Sequence, residues 1–589
     1  MTEELTRHFL KGTGLITIFL AMLAATAIVI TYLSRWFLLR ERISIPSGAS
    51  WFEIVSRSFN ELARRKTLAV IVVGFTALAV RAVVLPITKV PAPNAHDEFS
   101  YLLAGDTFAH GRLTNPTPVV WMPFESIHIN VRPTYMSMYP PGQGFVLAVG
   151  QLLGNPWIGV WLMGGIGCAI TCWALQAWLP PRWALLGGVL AILQFVVLSY
   201  WTSSYYCTWL PAAGGGLVLG ALPRLRRRPR VRDAVLLAVG VSVLAMTRPY
   251  EGLVFCLPVA VMLFSWILRP AGRSLGITIS RVFVPISLVL LLTGAFLADY
   301  NLRVSGNPLL MPYKLNQQAY AVVPLFVWQH LTPASTYRNV EMRNYYLGWE
   351  VSEYHNTVTS GFAKMTWIKF QRYWWFYFGP VLSLALLAVP KVLLDRRIRF
   401  LLIVIAVTMI GAELEVWSHP HYVAPLTCAL LAVILQCMRH MQFWRWHGKE
   451  IGRWLVWAMV LGCFAFDAAW LSAMAVHINY SRMYMAGNQA RATVQRQLER
   501  VPGNHLVLVR YTTSHLVFRE WVYNRADIAH ARIIWARDLG PECDRQLVRE
   551  YGGRRVWVVE PDADPVQLEP YTPSSLPVSS KSVCSAEGG

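Results

Sequence analysis

Three ionisable residues, His96, Asp97 and Glu98, follow one another just after a long apolar run. Carboxylates beside an imidazole can move protons as a general acid or base, and they can also ligate a cation. Helix capping is the plain alternative, because Asn94 can cap a helix that starts at Ala95 and the helix dipole stabilises a carboxylate in the first turn. Further ionisable residues follow on the same segment: Asp106, His110, Glu125, His128 and Arg132. Capping does not account for these further ionisable residues. Such a cluster at the mouth of a membrane helix favours a functional site.

A second candidate is Arg248, in the sequence Met-Thr-Arg-Pro-Tyr-Glu between two apolar runs. A guanidinium offers paired hydrogen-bond donors to phosphate, so Arg248 could act as an anion clamp. Two alternatives stay open. The side chain could pair with Glu251, or it could extend towards lipid headgroups.

The third candidate is the sequence His-Pro-His-Tyr that begins at His419 and includes His421 and Tyr422. Two histidines around a proline are a weak signal for zinc, and hydrogen bonds to a ligand's phosphate or hydroxyl groups are the favoured interpretation. Glu413 and Glu415 lie just before, within or at the end of an apolar run. They need partners there, and His421 or an arginine from a neighbouring helix would serve.

Composition shows what kind of elements hold these residues. The chain has 589 residues, of which 55% are hydrophobic and only 14% charged, and its net charge is +21. Ordinary soluble domains carry roughly 25% charged residues, so the sequence predicts a polytopic α-helical membrane protein. The Lys and Arg residues form short clusters between apolar runs. They are typical of topology signals, and no nucleic-acid partner is needed to explain them.

Apolar runs of near bilayer length predict about twelve transmembrane helices: 14–33, 67–88, 156–178, 183–200, 205–222, 233–247, 250–268, 280–299, 373–393, 399–416, 420–438 and 453–475. The first of them could instead lie in the membrane interface. Basic loops mark the cytoplasmic side: Arg57 to Lys66, Arg224 to Arg232, Asp395 to Arg399 and Arg439 to Arg453. The segments between these loops therefore face outward. We expect a multi-pass protein of the inner (plasma) membrane, with its large loops in the periplasm.

Four parts are expected along the chain. Residues 1–66 hold an accessory transmembrane helix and a basic loop, and residues 67–477 hold the main transmembrane domain with outward segments 91–155 and 300–372. Residues 478–570 read as a small α/β domain, with strands near 506–509 and 556–559 and a helix near 546–551. The final stretch, 571–589, is rich in Ser and Pro and is expected to be disordered. Cys543 and Cys584 lie in these last two parts and could form a disulfide.

The order of these motifs resembles the GT-C superfamily of polytopic glycosyltransferases. The resemblance is greatest to the branch with protein O-mannosyltransferases, the aminoarabinose lipid A transferase and rhizobial-type lipopolysaccharide sugar transferases. The late motif departs from it, because many relatives carry Arg or Lys where this chain has His, and the extra first span and the C-terminal domain are not general features. The motifs are an acidic pair in His-Asp-Glu-Phe-Ser-Tyr (Asp97, Glu98), Tyr-Pro-Pro-Gly (Tyr139 to Gly142), Arg248-Pro249, and His421-Tyr422 with Pro425.

The resemblance implies that a sugar moves from a polyprenyl-phosphate donor to a cell-envelope acceptor, with inversion at the anomeric carbon. Asp97 would be the general base, and Glu98 would orient it, hold a divalent cation or bind acceptor hydroxyls. The leaving phosphate would be bound by four basic residues: Arg248, Lys314, Arg132 and His421. Substrate contacts are expected from four more: His96, Tyr101, Tyr139 and Tyr422.

Two other functions stay open. A transporter or flippase for lipid-linked sugars would also have about twelve helices and ionisable residues near helix breaks. Against it, the acids lie in large loops and no inverted repeat is visible. A membrane scaffold would leave the loop acids without a role. The sugar, the acceptor and any metal are not identified by the sequence.

Overall fold

The computed structural model describes residues 51–268, 274–476 and 488–572. Within them, six helices are long and apolar enough to cross a membrane, or seven if one bent pair counts as a span. The predicted class of polytopic helical membrane protein is confirmed. The predicted span 14–33 and the tail lie outside the described residues. The six helices are Lys66–Thr88, Pro156–Leu175, Pro249–Leu268, Leu275–Ser305, Ala424–Met441 and Ile451–Met474.

Four other predicted spans form helices that are too short or too polar to qualify within the described part of the chain. A helix of 15 residues is about 22 Å long, whereas the hydrocarbon core is roughly 30 Å thick. The 19-residue helix is long enough, but its last turn carries three arginines. The four helices are Pro181–Ile192, which continues as a π-helical turn to Val197, Trp209–Arg227, Val231–Ala245 and Arg399–Glu413.

The predicted span 373–393 is wrong as a single straight helix. The chain forms two helices there, Phe362–Tyr377 and Gly379–Leu393, which meet at 100°. Gly379 has a positive φ of 56°, a conformation that glycine adopts readily. Pro380 follows and has no N–H to continue a helix. The break therefore comes from the sequence at the joint.

The first loop segment joins Lys66–Thr88 to Pro156–Leu175 and carries the acidic motif. Its first helix, His96–Ala109, is called the site helix below. The sequence predicts a start at Ala95 with Asn94 as the cap. The helix instead begins one residue later with Ala95 at the cap position, and the Glu98 side chain binds the amides of Asn94 and Ala95. The remaining elements are the 3₁₀ turn Met122–Phe124, antiparallel strands β1 (Ile129–Asn130) and β2 (Met136–Ser137), and the helix Gly142–Leu152.

The second loop segment runs between the helices Leu275–Ser305 and Phe362–Tyr377, so it is shorter than the predicted 300–372. It contains the helix Pro312–Tyr320 and a helical stretch over 340–359. That stretch is built from four short pieces with alternating α and π geometry: Val340–Arg343, Asn344–Trp349, Glu350–Tyr354 and His355–Thr359.

Residues 488–572 form the predicted C-terminal α/β domain. Its sheet has the order β4-β3-β5-β6, in which β3 (His505–Val509) pairs in parallel with β4 (Ile533–Arg537) and β5 (Arg555–Glu560), and β6 (Gln567–Pro570) is antiparallel to β5. Two helices, Gln489–Arg500 and Pro541–Glu550, accompany the sheet. Cys543 is disulfide-bonded, and Cys584 lies outside the described residues.

The C-terminal domain packs directly against the first loop segment. The ring of Tyr523 stacks on that of Phe99 in the site helix, with centroids 4.3 Å apart. The amide of Ala526 donates to Oδ2 of Asp106 at 2.7 Å. The two units share one apolar core, so the domain forms a wall of the region that holds the acidic motif.

The remaining described helices complete the membrane part. Trp51–Arg64 precedes the first span, and a 3₁₀ turn, Ala424–Leu426, leads into Thr427–Met441. A β-carbon added at Gly215 would lie 2.1 Å from the carbonyl oxygen of Pro425. Glycine therefore lets the helix Trp209–Arg227 approach the backbone directly after His421 and Tyr422.

Candidate active site

Asp97 occupies the first turn of the site helix, with its side chain 29% exposed. The hydroxyl of Tyr139 donates a hydrogen bond to Oδ1 of Asp97, and Nδ1 of His128 lies 3.4 Å from the same oxygen. Burial alone would raise the pKa of Asp97, but the charge interaction with His128 and hydrogen bonds from His128 and Tyr139 outweigh it and hold the pKa below its ordinary value. Asp97 is therefore an ionised carboxylate open on one side.

His128 connects Asp97 to the second loop segment. Its Nδ1 is 3.3 Å from the hydroxyl of Tyr139, and its Nε2 is 3.2 Å from the hydroxyl of Tyr345. His128 has a positive φ of 63°, and its carbonyl accepts a hydrogen bond from Ser100 at 2.7 Å. The sequence showed His128 only as one of several ionisable residues in the segment. Its role depends on a turn that brings it back to the site helix.

Both carboxylate oxygens of Glu98 accept hydrogen bonds from backbone amides. Its Oε2 accepts hydrogen bonds from the amides of Asn94 (2.7 Å) and Ala95 (3.1 Å), and its Oε1 accepts one from the amide of Tyr205 (3.0 Å). Its side chain is 3% exposed. Both oxygens thus stabilise the start of the helix and tie it to the chain before the helix Trp209–Arg227. These contacts favour a structural role for Glu98, which is different from the three roles that the resemblance implied.

His96 faces the C-terminal domain. Its Nδ1 is 2.7 Å from the hydroxyl of Tyr523, which in turn donates to the carbonyl of Ile127 at 3.2 Å. Burial lowers the pKa of His96 to about 3, so the ring is neutral at physiological pH. Its Nε2 is buried without a hydrogen-bond partner among the described residues. One nitrogen of His96 is therefore structural, and the other is available to a ligand.

Arg248 lies over the ring of Tyr422, whose phenol also interacts with the charge of Asp97. Its Nη1 is 3.2 Å from Oε1 of Glu251, and its guanidinium carbon is 4.1 Å from the ring centroid of Tyr422. Arg248 thus pairs with Glu251, which is one of the two alternatives open from the sequence, and it also keeps a buried Nε with no described partner, which a bound anion could use. The charges of Arg248 and Asp97 both act on the phenols of Tyr101 and Tyr422.

The Tyr-Pro-Pro-Gly element joins these two sides. Tyr139 bonds Asp97 and stacks on Tyr101, with ring centroids 4.4 Å apart. Three residues later, the amide of Gly142 donates to the carbonyl of Met246 at 2.9 Å. A β-carbon at Gly142 would lie 2.6 Å from Cγ2 of Thr247 and 2.7 Å from that carbonyl. Only glycine allows this approach to the turn that precedes Arg248.

His421 is buried, and its Nδ1 is 3.0 Å from the hydroxyl of Tyr200. Burial and the positive charge of Arg248 lower the pKa of His421 well below its ordinary value. The ring is therefore neutral and can offer a hydrogen bond, but no positive charge. Its neighbour Tyr422 supplies the face on which Arg248 rests.

Two predicted phosphate ligands have other described partners and no described contact with Arg248. Lys314 is exposed, and its Nζ donates to Gln317 at 3.1 Å, whereas the preceding Tyr313 turns inward towards Tyr139 at 6.4 Å between centroids. Arg132 is exposed and lies over the ring of Trp121 at 5.2 Å. The described contacts therefore give neither residue a place beside Arg248.

Glu413 has a different partner from those expected. Its Oε2 is 3.8 Å from Nζ of Lys369, and that ammonium also donates to the carbonyls of Ala412, Glu413 and Glu415 at 2.6–3.1 Å. Lys369 is fully buried in the helix Phe362–Tyr377. It holds in place the chain that leads to His419. No role was predicted for Lys369, although a lysine within an apolar helix is a sequence signal for a buried polar contact.

A further cation and a further acid near the site were also missed. Nη1 of Arg372 donates to the carbonyl of Ser418 at 3.1 Å, next to His419. Glu350 is 7% exposed, its Oε2 is buried without a described partner, and burial raises its pKa to about 8. Glu350 is therefore protonated at neutral pH and can donate a hydrogen bond. Neither residue forms a sequence motif, and only the fold brings them to the site.

Metal binding has no ready site among the described residues. Within 51–268, 274–476 and 488–572, no group of three or more His, Cys, Asp or Glu side chains could hold an ion. His419 and His421 stack, with centroids 5.5 Å apart, and Nδ1 of His421 is already bonded to Tyr200. A zinc pair at these histidines is not supported by this arrangement.

Comparisons with known proteins give distant structural matches. No family model matches the sequence, and no curated protein matches it. The chain is similar to a crystal structure of ArnT from Cupriavidus metallidurans bound to undecaprenyl phosphate, with 14% identity and a TM-score of 0.45 over 83% of this chain and 92% of that chain. It is also similar to the archaeal oligosaccharyltransferase AglB from Archaeoglobus fulgidus in complex with an inhibitory peptide and a dolichol-phosphate, with 11% identity and a TM-score of 0.40 over 82% of this chain and 69% of that chain. These values are too low to carry a residue role or an activity over to this chain.

Proposed function

We propose that this protein is a membrane glycosyltransferase that moves a sugar from a polyprenyl-phosphate donor to a cell-envelope acceptor. The observation that carries the proposal is that an ionised, partly exposed Asp97 and a partly buried Arg248 both act on the phenols of Tyr101 and Tyr422. A base and an anion clamp on opposite sides of one site suit the attack of a hydroxyl on a phosphate-linked sugar.

Asp97 would accept the proton of the acceptor hydroxyl. Tyr139 and His128 keep its carboxylate ionised and fixed in direction. The same contacts make it a weak base, because a hydrogen bond to the charged form favours that form. We therefore expect the acceptor hydroxyl to displace one of these donors when it binds, which would raise the basicity of Asp97 at the moment of reaction.

Arg248 would bind the leaving phosphate. Its Nε has no described partner, and its side chain is 14% exposed in a site lined by Tyr422 and Tyr101. A lipid phosphate leaves as an anion and needs no acid, so a fixed positive charge in a partly dry site is the effective catalyst. Neutral His421 can add a hydrogen bond but no charge.

A single displacement with one base would invert the anomeric configuration, as in inverting glycosidases, where no covalent intermediate forms. Glu98 is assigned to folding because its oxygens accept three backbone amides. The proposal routes no step through a metal. An outward, periplasmic location of the site is supported by the positions of the basic loops under the positive-inside rule.

The rival function is transport of a lipid-linked sugar. Intramembrane carboxylates near helix breaks would favour it. Asp467 is an intramembrane carboxylate, since it is buried in the helix Ile451–Val476 with Oδ2 unpartnered among the described residues, but that helix is unbroken. Asp97 and Arg248 lie at helix starts, with His128 in the turn beside Asp97, and this arrangement favours chemistry over transport.

The test uses the purified full-length chain in proteoliposomes with lipid-linked sugars extracted from the cells that make it. Mass spectrometry would follow sugar transfer to envelope material, and a membrane-impermeant reagent would follow translocation of the donor. The proposal expects transfer that requires the protein and releases polyprenyl phosphate. Translocation without transfer would refute it and support the transporter.

A further inference from the structure

We propose that Trp349, Trp417 and Phe518 form an aromatic platform that binds a sugar ring of the acceptor, which makes the acceptor a glycan. The inference rests on the proposed glycosyl transfer and adds the chemical class of the acceptor and the residues that hold it. The three rings come from three separate parts of the chain: the second loop segment, the connection before His419, and the C-terminal domain.

The rings form a continuous surface. Trp349 and Trp417 stack with centroids 5.6 Å apart and planes 11° from parallel. Phe518 stands perpendicular to Trp349 at 4.7 Å. Phe518 is 40% exposed, and both tryptophans are only partly buried. Large aromatic faces brought together by three elements and left open to solvent are typical of a binding surface, because a purely structural cluster would be covered.

A chain of contacts connects the platform to the proposed base. Trp349 contacts Tyr345 at 5.3 Å between centroids, and the Tyr345 hydroxyl is 3.2 Å from Nε2 of His128. His128 then lies 3.4 Å from Asp97. Arg248 is linked to Asp97 by other rings, because its charge and that of Asp97 both act on Tyr101 and Tyr422. The platform is linked to Asp97 through His128 instead, so an acceptor held on the platform would approach Asp97 from the His128 side.

Two buried polar atoms on residues that adjoin the rings lack partners among the described residues. They are Oε2 of Glu350, the residue after Trp349, and Nε2 of His96, whose ring stacks on that of Phe518 with centroids 5.9 Å apart. A buried polar atom without a partner costs free energy unless a ligand or water satisfies it. Protonated Glu350 can donate a hydrogen bond. Nε2 of neutral His96 can accept one, because Nδ1 is the donor to the Tyr523 hydroxyl. A donor and an acceptor together suit hydroxyl groups.

Sugar rings match both features. A pyranose presents a face of C–H groups that packs on an aromatic ring, and its edge carries hydroxyls that need donors and acceptors. An acyl chain would leave the polar atoms of Glu350 and His96 unsatisfied. A peptide would require backbone partners, which aromatic faces do not offer. The platform therefore favours a glycan acceptor over a lipid tail or a protein.

The experiment measures sugar binding by saturation-transfer NMR to the full chain in nanodiscs. The probes are oligosaccharides released from the envelope of the producing cells and, for comparison, a serine-rich peptide. Phe518→Ala and Trp349→Ala should weaken glycan binding by on the order of tenfold, and Trp349→Phe should retain most of it. Trp328→Ala is the matched control, because Trp328 is 58% exposed in the same loop segment and stacks on Phe326 instead.

Binding of polyprenyl phosphate to the same samples separates this inference from the proposed function. We expect it to be equal in wild type, Trp349→Ala and Phe518→Ala. Glycan binding that is absent from wild type, equal in Trp349→Ala and Trp328→Ala, or weaker than peptide binding would overturn the platform. Loss of polyprenyl phosphate binding in Trp349→Ala would assign the rings to the donor and would also overturn it. Failure of the wild type to bind polyprenyl phosphate would instead count against the proposed function.

Discussion

Gly142→Ala is expected to disable donor use, because this glycine fixes the turn that carries Arg248. Its added β-carbon would meet Cγ2 of Thr247 at 2.6 Å and the carbonyl oxygen of Met246 at 2.7 Å, and Leu210 is 3.3 Å away on another side. Ordinary contact begins near 3.4 Å, so the turn must retreat by roughly 0.7 Å. The carbonyl cannot yield alone, since it also accepts the amide hydrogen bond of Gly142 at 2.9 Å.

Two magnitudes follow from this displacement. Overpacking of a close contact costs about 1–3 kcal/mol of stability. A misplacement near 1 Å of a positioned group costs roughly 100-fold in rate. We therefore expect Gly142→Ala to lower kcat/KM for the donor by on the order of 100-fold, with a modest fall in the midpoint of thermal unfolding. The assay is transfer in proteoliposomes at varied donor concentration.

A matched control and a partial rescue sharpen the experiment. Gly348→Ala adds a β-carbon in the second loop segment, where nothing lies within 4 Å, and it should leave donor use unchanged. Thr247→Ser removes Cγ2 but keeps the hydroxyl that donates to Val243 at 2.7 Å. The double variant Gly142→Ala with Thr247→Ser should recover part of the activity. Wild-type donor kinetics in Gly142→Ala would refute the link between the Tyr-Pro-Pro-Gly element and Arg248.

Three further changes have defined outcomes. Tyr139→Phe removes a hydrogen bond that lowers the pKa of Asp97, so that pKa should rise, and the acidic limb of the pH–rate profile should move to higher pH. Arg248→Ala should raise the KM for the donor by roughly 10- to 100-fold while the acceptor KM stays constant. Arg537→Met leaves the buried Glu520 without its ion pair at 2.7 Å and should destabilise the C-terminal domain by about 3–5 kcal/mol, measured by denaturant unfolding.

The first two changes each have a control of the same chemistry. Tyr320→Phe removes a tyrosine hydroxyl that donates to another carboxylate, Glu125, at 3.0 Å. It should leave the acidic limb of the pH–rate profile unchanged. Arg303→Ala removes an exposed pair with Asp299 and should not alter the donor KM. Two results would contradict the assigned roles. One is an unchanged acidic limb of the pH–rate profile in Tyr139→Phe, and the other is an acceptor KM that rises with the donor KM in Arg248→Ala. Unchanged unfolding of the Arg537→Met protein would show that its ion pair does not hold the domain.

Local composition predicted the elements well where one physical rule dominates. Six long apolar helices form where hydropathy indicated them, and the strands at 506–509 and 556–559 fall within His505–Val509 and Arg555–Glu560. Hydropathy could not separate a spanning helix from a short one between other helices, because both are apolar. The 100° break before Pro380 was readable from its Gly-Pro pair, yet the flanking apolar residues hid it.

The candidate site was predictable in its charged motifs and not in its partners. Asp97, Tyr139 and Arg248 stand in short motifs. The Tyr139 hydroxyl bonds Asp97, whereas Arg248 pairs with Glu251. His128 comes from a turn 31 residues beyond Asp97, and the Trp349 ring comes from the second loop segment; neither sits in a motif. Glu98 was predicted to be catalytic because acidic pairs often are, but its oxygens accept hydrogen bonds from three backbone amides. Such pairings depend on tertiary contact, which local patterns do not contain.

The most direct test of the central claim is single-turnover sugar transfer by Asp97→Asn compared with its binding of polyprenyl phosphate. Asparagine keeps the size of the side chain and removes the negative charge, so the bound lipid phosphate should be retained. We predict that binding stays within about twofold of wild type, while the rate of transfer falls by roughly 100- to 10,000-fold, the usual contribution of a general base. Transfer at the wild-type rate by Asp97→Asn would contradict the account.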